Sequence, residues 1–231
     1  MWDALSAALR LVLRLDGDVL AIAGLSLRVS LLAVACGTLV GVPLGALLAI
    51  SRMPGRGVLV AVLNGLMGLP AVVVGLVVYL LLSRSGPLGA AGLLFTPTAM
   101  VIAQTILVTP LIAALTRQVV EDADRELGEQ LRSMRLGRWR RARALAFDAR
   151  FSLAVVLLAA FGRAVSEVGA VLVVGGNVAG HTRTMTTAIS LETQKGDLPL
   201  ALALGLVLIG IVLAVNAAAS LLRHHAMRVY G

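Results

Sequence analysis

The stretch 198–222, LPLALALGLVLIGIVLAVNAAASLL, carries no charged side chain over its 25 residues. A bilayer core of about 30 Å is crossed by roughly 20 apolar residues wound as a helix. This segment is long enough, and it is apolar all round, with no wet face. The same reading extends outward along the chain. Residues 29–50, 57–83 and 85–116 are also uncharged apart from Arg84 between the last two, and the third has its apolar core at 98–115. Residues 151–176 are interrupted only by Arg163 and Glu167. The pattern predicts an all-α polytopic membrane protein with five spans, at about 29–50, 57–82, 94–116, 151–174 and 198–222.

Composition agrees. Hydrophobic residues form 59% of the 231, and mean hydropathy is +0.96. A soluble domain is nearer 45–50% apolar, so the length does not translate into soluble domains. The net charge of +8 is almost all arginine, because Lys195 is the only lysine. Such a balance can serve nucleic acid. In this chain the charges sit in loops beside spans, so membrane topology accounts for them and no nucleic-acid partner is expected. Cys36 is the only cysteine and falls in the first span, which leaves no disulfide and no thiolate metal site.

The loops set an orientation. Residues 52–56, 117–150 and the tail after 222 hold 13 basic residues, against six in the N-terminal segment and the loops 83–96 and 175–199. The positive-inside rule then puts loop 117–150 and the C-terminal tail 223–231 in the cytoplasm and the N-terminus outside. Residues 1–18 lack a basic start and a cleavable-leader pattern. Trp2, Leu5, Leu9, Val12 and Leu13 recur at helical spacing there, with Asp3, Ser6, Arg10 and Arg14 elsewhere. That predicts an amphipathic helix lying on the membrane, with the transmembrane domain at 19–222.

Loop 117–150 holds nine arginines. Leu127, Leu131 and Met134 follow helical spacing, Leu136-Gly137 interrupts it, and Trp139 and Leu145 resume it. Two short helices meeting at that turn would make a compact knob. Three readings stand: a solvated loop, a basic surface for anionic membrane lipid, and a docking knob for a partner.

Within the spans, Gly37, Gly41, Gly45, Gly65, Gly68, Gly75 and Gly205 offer close helix approach. Pro43, Pro70 and Pro110 each remove a backbone hydrogen bond, so Leu69-Pro70 and Thr109-Pro110 are candidate bends beside a pathway. Arg163 lies twelve residues into the fourth span, roughly 18 Å deep at 1.5 Å per residue. Glu167 is one turn on. A charge at that depth must face protein or water. The two can form a structural i,i+4 pair, or Arg163 can face a pathway and attract an anion while Glu167 holds it. Asn64, Thr98, Gln104, Thr105 and Thr109 are the polar groups of neighbouring spans. They either contact a permeant or bond to their own helix carbonyls. In the outer loop 175–197, His181 has no second His or Cys nearby, and no metal site is expected.

Several segments resemble a known family. Glu129, Arg132, Ser133, Met134, Leu136 and Gly137 resemble the coupling segment of ATP-binding-cassette importer permeases. Set on Glu129, the family pattern places alanines at Gln130 and Leu131, glycine at Arg135 and proline at Asp148; Leu145 stands where the family has isoleucine. The run Gly68-Leu69-Pro70-Ala71-Val72-Val73-Val74-Gly75 is similar to the second-span signature of molybdate- and tungstate-type permeases. Residues 83–89 and 95–99 extend it. Residues 161–170, FGRAVSEVGA, resemble that family's fourth-span segment, and Gly180-His181-Thr182-Arg183-Thr184 its outer gate loop. The likeness is strongest to the tungstate branch.

The resemblance implies a type I importer (MetI-like) fold in a bacterial-type inner membrane. It implies a pathway through Arg163, Glu167, Asn64, Thr98, Gln104 and Thr109. ATPase coupling would fall to Glu129, Arg132, Ser133, Met134, Leu136 and Gly137. Gly180, His181, Thr182 and Arg183 would meet an extracytoplasmic binding protein. Two copies would pair, with two ATPase subunits holding ATP and Mg; this chain would need no cofactor and would be no enzyme. Tungstate is the implied cargo, with molybdate or another oxyanion as the alternative. Two rivals from other classes remain. A self-contained secondary transporter or channel would show inverted repeats or broken helices in matched halves, and neither is evident. An intramembrane enzyme would need paired catalytic groups.

Overall fold

The computed structural model describes residues 2–13 and 16–230, with side chains described over 6–13 and 16–222. Met1, Arg14, Leu15 and Gly231 lie outside it, as do the side chains of Trp2, Asp3, Leu5, Arg223 and Arg228. In chain order the helices are α1 (Trp2–Leu13), α2 (Gly17–Ile50), α3 (Arg56–Met67), α4 (Ala71–Leu82), α5 (Pro97–Ser133), α6 (Arg138–Asp148), α7 (Arg150–Val165), α8 (Gly169–Gly175), α9 (Met185–Lys195) and α10 (Leu198–Tyr230). A short 3₁₀ turn covers Gly89–Ala91. Every regular element among the described residues is helical, as the apolar runs predict.

The helix bounds differ from the expected spans in instructive ways. α2 starts at Gly17, twelve residues before the expected span, because the Asp16 carboxylate accepts from the Asp18 N–H at 3.0 Å and caps its first turn. α5 does not stop at the apolar boundary near Thr116. It continues for 37 residues, about 55 Å at 1.5 Å per residue. The first half of the expected two-helix knob is therefore the far end of a long rod. Pro43 and Pro110 both lie inside continuous helices.

Residues 57–82 are not one helix. Gly68 closes α3, its N–H donating to the Gly65 carbonyl at 3.1 Å, and Pro70 opens α4 from an extended backbone. The bend expected at Leu69-Pro70 is thus a complete break. The fourth stretch is also interrupted, at Ser166-Glu167-Val168 between α7 and α8. The helices therefore break at two places, 68–70 and 166–168. Among the described residues three helices are long and apolar enough to cross a bilayer, or up to five if the bent pairs α3–α4 and α6–α7 each count as one span.

The chain divides into two compact units. In the unit formed by residues 34–69, 105–161 and 215–231, α2 presents Gly37, Gly41 and Gly45 to α5. A β-carbon at Gly41 would lie 3.0 Å from the Thr109 carbonyl oxygen, and one at Gly45 2.9 Å from the Thr116 β-carbon. The small-residue stripe is what allows this approach. Ala46, Ala49, Ile50, Val120, Ala123, Ala142 and Leu145 close the same unit into a buried cluster that joins α2, α5 and α6. The other unit contains residues 1–33, 70–104 and 162–214. There α4 packs on α8 through Gly75, whose absent side chain leaves room for the Ala170 backbone.

Candidate functional site

The α7–α8 break lies at the segment that carries the two buried-span charges. Breaking a helix frees backbone groups that lipid cannot satisfy. Specific partners meet that demand. The Ala164 carbonyl accepts from the Glu167 N–H at 3.1 Å and from Gln104 Nε2 at 3.0 Å. The Glu167 carbonyl accepts from Thr186 Oγ1 at 2.7 Å. The Glu167 carboxylate accepts from the Ala170 N–H at 3.3 Å, in the first turn of α8. Its other oxygen accepts from Arg163 Nη1 at 2.6 Å. Glu167 is buried, while the Arg163 side chain is half exposed. The carboxylate thus anchors a guanidinium that stays accessible.

Behind the break lies a wall of buried hydroxyls. Thr184 and Thr187 form a reciprocal cap on α9. Ser26 Oγ accepts from the Met185 N–H at 2.8 Å, which pins α9 to α2. Thr182 Oγ1 donates to the Gly175 carbonyl at 2.5 Å and accepts from the Val178 N–H at 3.0 Å. These contacts fix the segment following α8. Of the expected outer-gate residues, Gly180 has φ +73, His181 is exposed, Thr182 is buried, and Arg183 pairs with Glu192 at 3.6 Å. A cavity of about 240 Å³ opens beside them, lined by Asp18, Leu25, His181, Arg183 and Leu200 among others.

The expected pathway residues are divided between the two units. Arg163, Glu167, Gln104 and Thr98 belong to one unit, and Gln104 reaches the break directly. Thr98 is exposed near the start of α5. Asn64 and Thr109 belong to the other unit. Asn64 is exposed on α3, and Thr109 Oγ1 donates to the Thr105 carbonyl of its own helix at 2.7 Å.

The expected coupling residues sit where α5 ends and turns into α6. Glu129, Arg132, Ser133, Met134 and Gly137 are exposed and Leu136 half-buried. Arg135 makes the turn with φ +52, a left-handed conformation that favours glycine. α6 folds back onto α5 through Leu145, which is fully buried, and through Arg141, whose guanidinium bonds both oxygens of Asp124. α6 and α7 meet at a 79° bend. At the base of this element Arg56 donates to the last-turn carbonyls of α2, Leu48 at 3.0 Å and Ala49 at 3.4 Å, and to Glu121. Glu121 also accepts from Arg117 at 2.7 Å.

Sequence reasoning passed over Arg56, Arg117, Glu121, Asp124, Arg141, Ser26 and Thr186. Two signals could have found some of them: the i,i+4 spacing of Arg117 and Glu121, and the Thr184-x-x-Thr187 cap ahead of α9.

Apolar helices long enough to cross a bilayer, with a charge pair at a helix break, define a multi-pass integral membrane protein. Residues 41–227 match the model of the binding-protein-dependent transport system inner membrane component family, and the chain belongs to that family. It is a transport component of the inner membrane, not an enzyme. Membership implies partnership with an ATPase and a binding protein. The chain is 41% identical to the tungstate uptake system permease protein TupB of Peptoclostridium acidaminophilum over 93% of this chain and 94% of that one. It is 43% identical to the TupB protein of Campylobacter jejuni over 64% and 62%. The molybdenum transport system permease protein ModB of Escherichia coli K12 is 31% identical over 75% and 80%.

Proposed function

We propose that this chain is the membrane-spanning subunit of an ATP-driven importer whose cargo is tungstate. The observation that carries the reading is the identity to a tungstate permease along nearly the whole length of both chains. Two copies form the pathway, each with five spans, the N-terminus outside and the C-terminus in the cytoplasm. α1 lies on the membrane surface. Two ATPase subunits hold ATP and Mg and grip the α5–α6 turn at Glu129, Arg132, Ser133, Met134, Leu136 and Gly137. A binding protein delivers the anion at the loop containing Gly180 to Arg183.

Arg163 draws the dianion into the pathway, and Glu167 keeps its guanidinium in place. Thr98, Gln104, Asn64 and Thr109 complete the polar lining. A half-exposed guanidinium already shared with a carboxylate attracts an anion without trapping it, which suits transit. The second reading is molybdate, favoured by the Escherichia coli relative.

Metal uptake by mass spectrometry at nanomolar tungstate and molybdate, in cells with and without this chain, separates the two. Loss of tungstate uptake alone is the expected result. Equal loss of both anions would make the chain a general group-6 oxyanion permease, and loss of neither would exclude both cargoes. For the pathway itself, Arg163→Ala abolishes uptake while the complex still assembles. Normal uptake by that variant would remove Arg163 from the pathway.

A further inference from the structure

Arg140 and Arg143 lie on α6, and Arg150 opens α7. Arg140, Arg143 and Arg150 line an open groove of about 590 Å³ together with Phe147, Ala144 and Ala146. Among the described residues, no carboxylate lines it. Phe147 is 69% exposed, although it is a large apolar side chain at the edge of a basic groove. The Arg150 guanidinium stacks on the rings of both Phe147 and Phe151, 4.9 Å from each centroid. Arg150 is also the first residue of α7, and the eleven residues after it are apolar except for Ser152. Arg150 therefore marks the polar end of an apolar helix.

We propose that this groove binds the phosphate of an anionic phospholipid. Arginine and an aromatic ring at the start of an apolar helix match the two layers of a lipid at that depth. The guanidinium groups meet the headgroup phosphate, and Phe147 meets the first methylenes of the acyl chains. A protein partner is the less fitting occupant. Its acidic side chains would satisfy the arginines but would not explain a bare phenylalanine level with the bilayer edge. The residues assigned to the ATPase, from Glu129 to Gly137, end before the groove starts. Across the α6–α7 bend a separate cavity of about 280 Å³ is lined by Asp122, Glu126 and Asp148. Those carboxylates repel phosphate and confine it to the arginine side. The site depends on membrane insertion and not on which oxyanion is carried.

The test is native mass spectrometry of the purified chain in detergent with phosphatidylglycerol or phosphatidylcholine, for the wild type and the R140Q/R143Q variant. Each guanidinium near a phosphate contributes about five-fold, so the double change lowers phosphatidylglycerol retention by about twenty-five-fold. Phosphatidylcholine binding stays as it was. The fold is checked by thermal unfolding, and a Phe147→Ala variant provides a second reading through weaker acyl-chain retention. Equal retention of the two lipids by the wild type would overturn the proposal. So would unchanged phosphatidylglycerol retention in R140Q/R143Q, or displacement of the lipid by millimolar inorganic phosphate, which would mark a soluble-anion site. If the double variant keeps its lipid and loses the copurifying ATPase, the groove is a protein interface.

Discussion

Arg163 and Glu167 share an ion pair of 2.6 Å but not an environment, for the arginine side chain is 49% exposed and the glutamate 6%. The carboxylate is the fixed member. It also accepts the Ala170 N–H, and the Glu167 carbonyl is held by Thr186. Such an asymmetric pair aims one charge from a buried anchor. It differs from a buried pair that merely offsets two charges, which is often no better than an apolar contact.

Glu167→Gln separates these roles. The amide oxygen keeps the acceptor for Ala170 and nearly the same shape, but the charge that holds Arg163 is lost. Losing a charge-assisted bond of this kind lowers stability by about 2 kcal/mol. Tungstate uptake falls roughly ten-fold or more, while the chain still inserts and assembles. Uptake kinetics and thermal unfolding of the same preparation check this. Wild-type uptake with a lowered midpoint would leave the pair with a structural role only.

Glu121 holds two arginines at once, one of them, Arg117, almost wholly buried. Glu121→Ala leaves Arg117 without its carboxylate and frees Arg56 from its tie to α5. The expected loss is about 2–3 kcal/mol, because uncompensated charge in a poorly hydrated place is costly. Arg56→Ala loses less, since the Arg117 pair survives. A double-mutant cycle on thermal unfolding in detergent reads the coupling. Equal, additive losses would show that Arg56 and Glu121 act independently.

Much of this was legible in the sequence, and the residues say why. Hydropathy is a local sum, so the apolar helices could be read directly from the chain. The Leu136-Gly137 interruption gave the α5–α6 turn for the same reason. The end of α5 was misplaced because a change from apolar to charged residues marks where a bilayer ends, not where a helix ends. The break at Ser166-Glu167-Val168 has no proline, and its partners are Gln104 and Thr186, 60 and 19 residues from the groups they bond. No local pattern contains that information. Arg163 and Glu167 stood out through their misplaced charge, whereas the serine and threonine wall around α9 did not, since hydroxyls in apolar helices usually bond their own backbone.

Gly75 and Gly65 give a paired test of packing. A β-carbon at Gly75 would lie 2.8 Å from the Ala170 α-carbon, and backbone cannot move aside cheaply. At Gly65 nothing among the described residues lies within 4 Å. Gly75→Ala is expected to destabilise by about 1–3 kcal/mol through overpacking. Gly65→Ala is neutral or slightly stabilising, because alanine favours helix. Thermal midpoints of the two single variants decide it. Equal effects would mean that the α4–α8 approach does not depend on Gly75.

Arg135 stands where the importer coupling pattern has glycine, and its φ of +52 explains the family's choice. A left-handed backbone raises the energy of a residue with a β-carbon by about 1–2 kcal/mol, and glycine removes the clash. Arg135→Gly is therefore expected to stabilise the α5–α6 turn by about 1 kcal/mol, less the extra backbone freedom that glycine gains when unfolded. Arg135→Val, with a branched β-carbon, acts in the opposite direction. Hydrogen exchange of amides 134–140 reads the turn locally and is insensitive to the membrane helices. Slower exchange in the glycine variant and faster exchange in the valine variant are the expected pair. If the glycine variant exchanges faster than wild type, Arg135 contributes more through its side chain than its backbone conformation takes away.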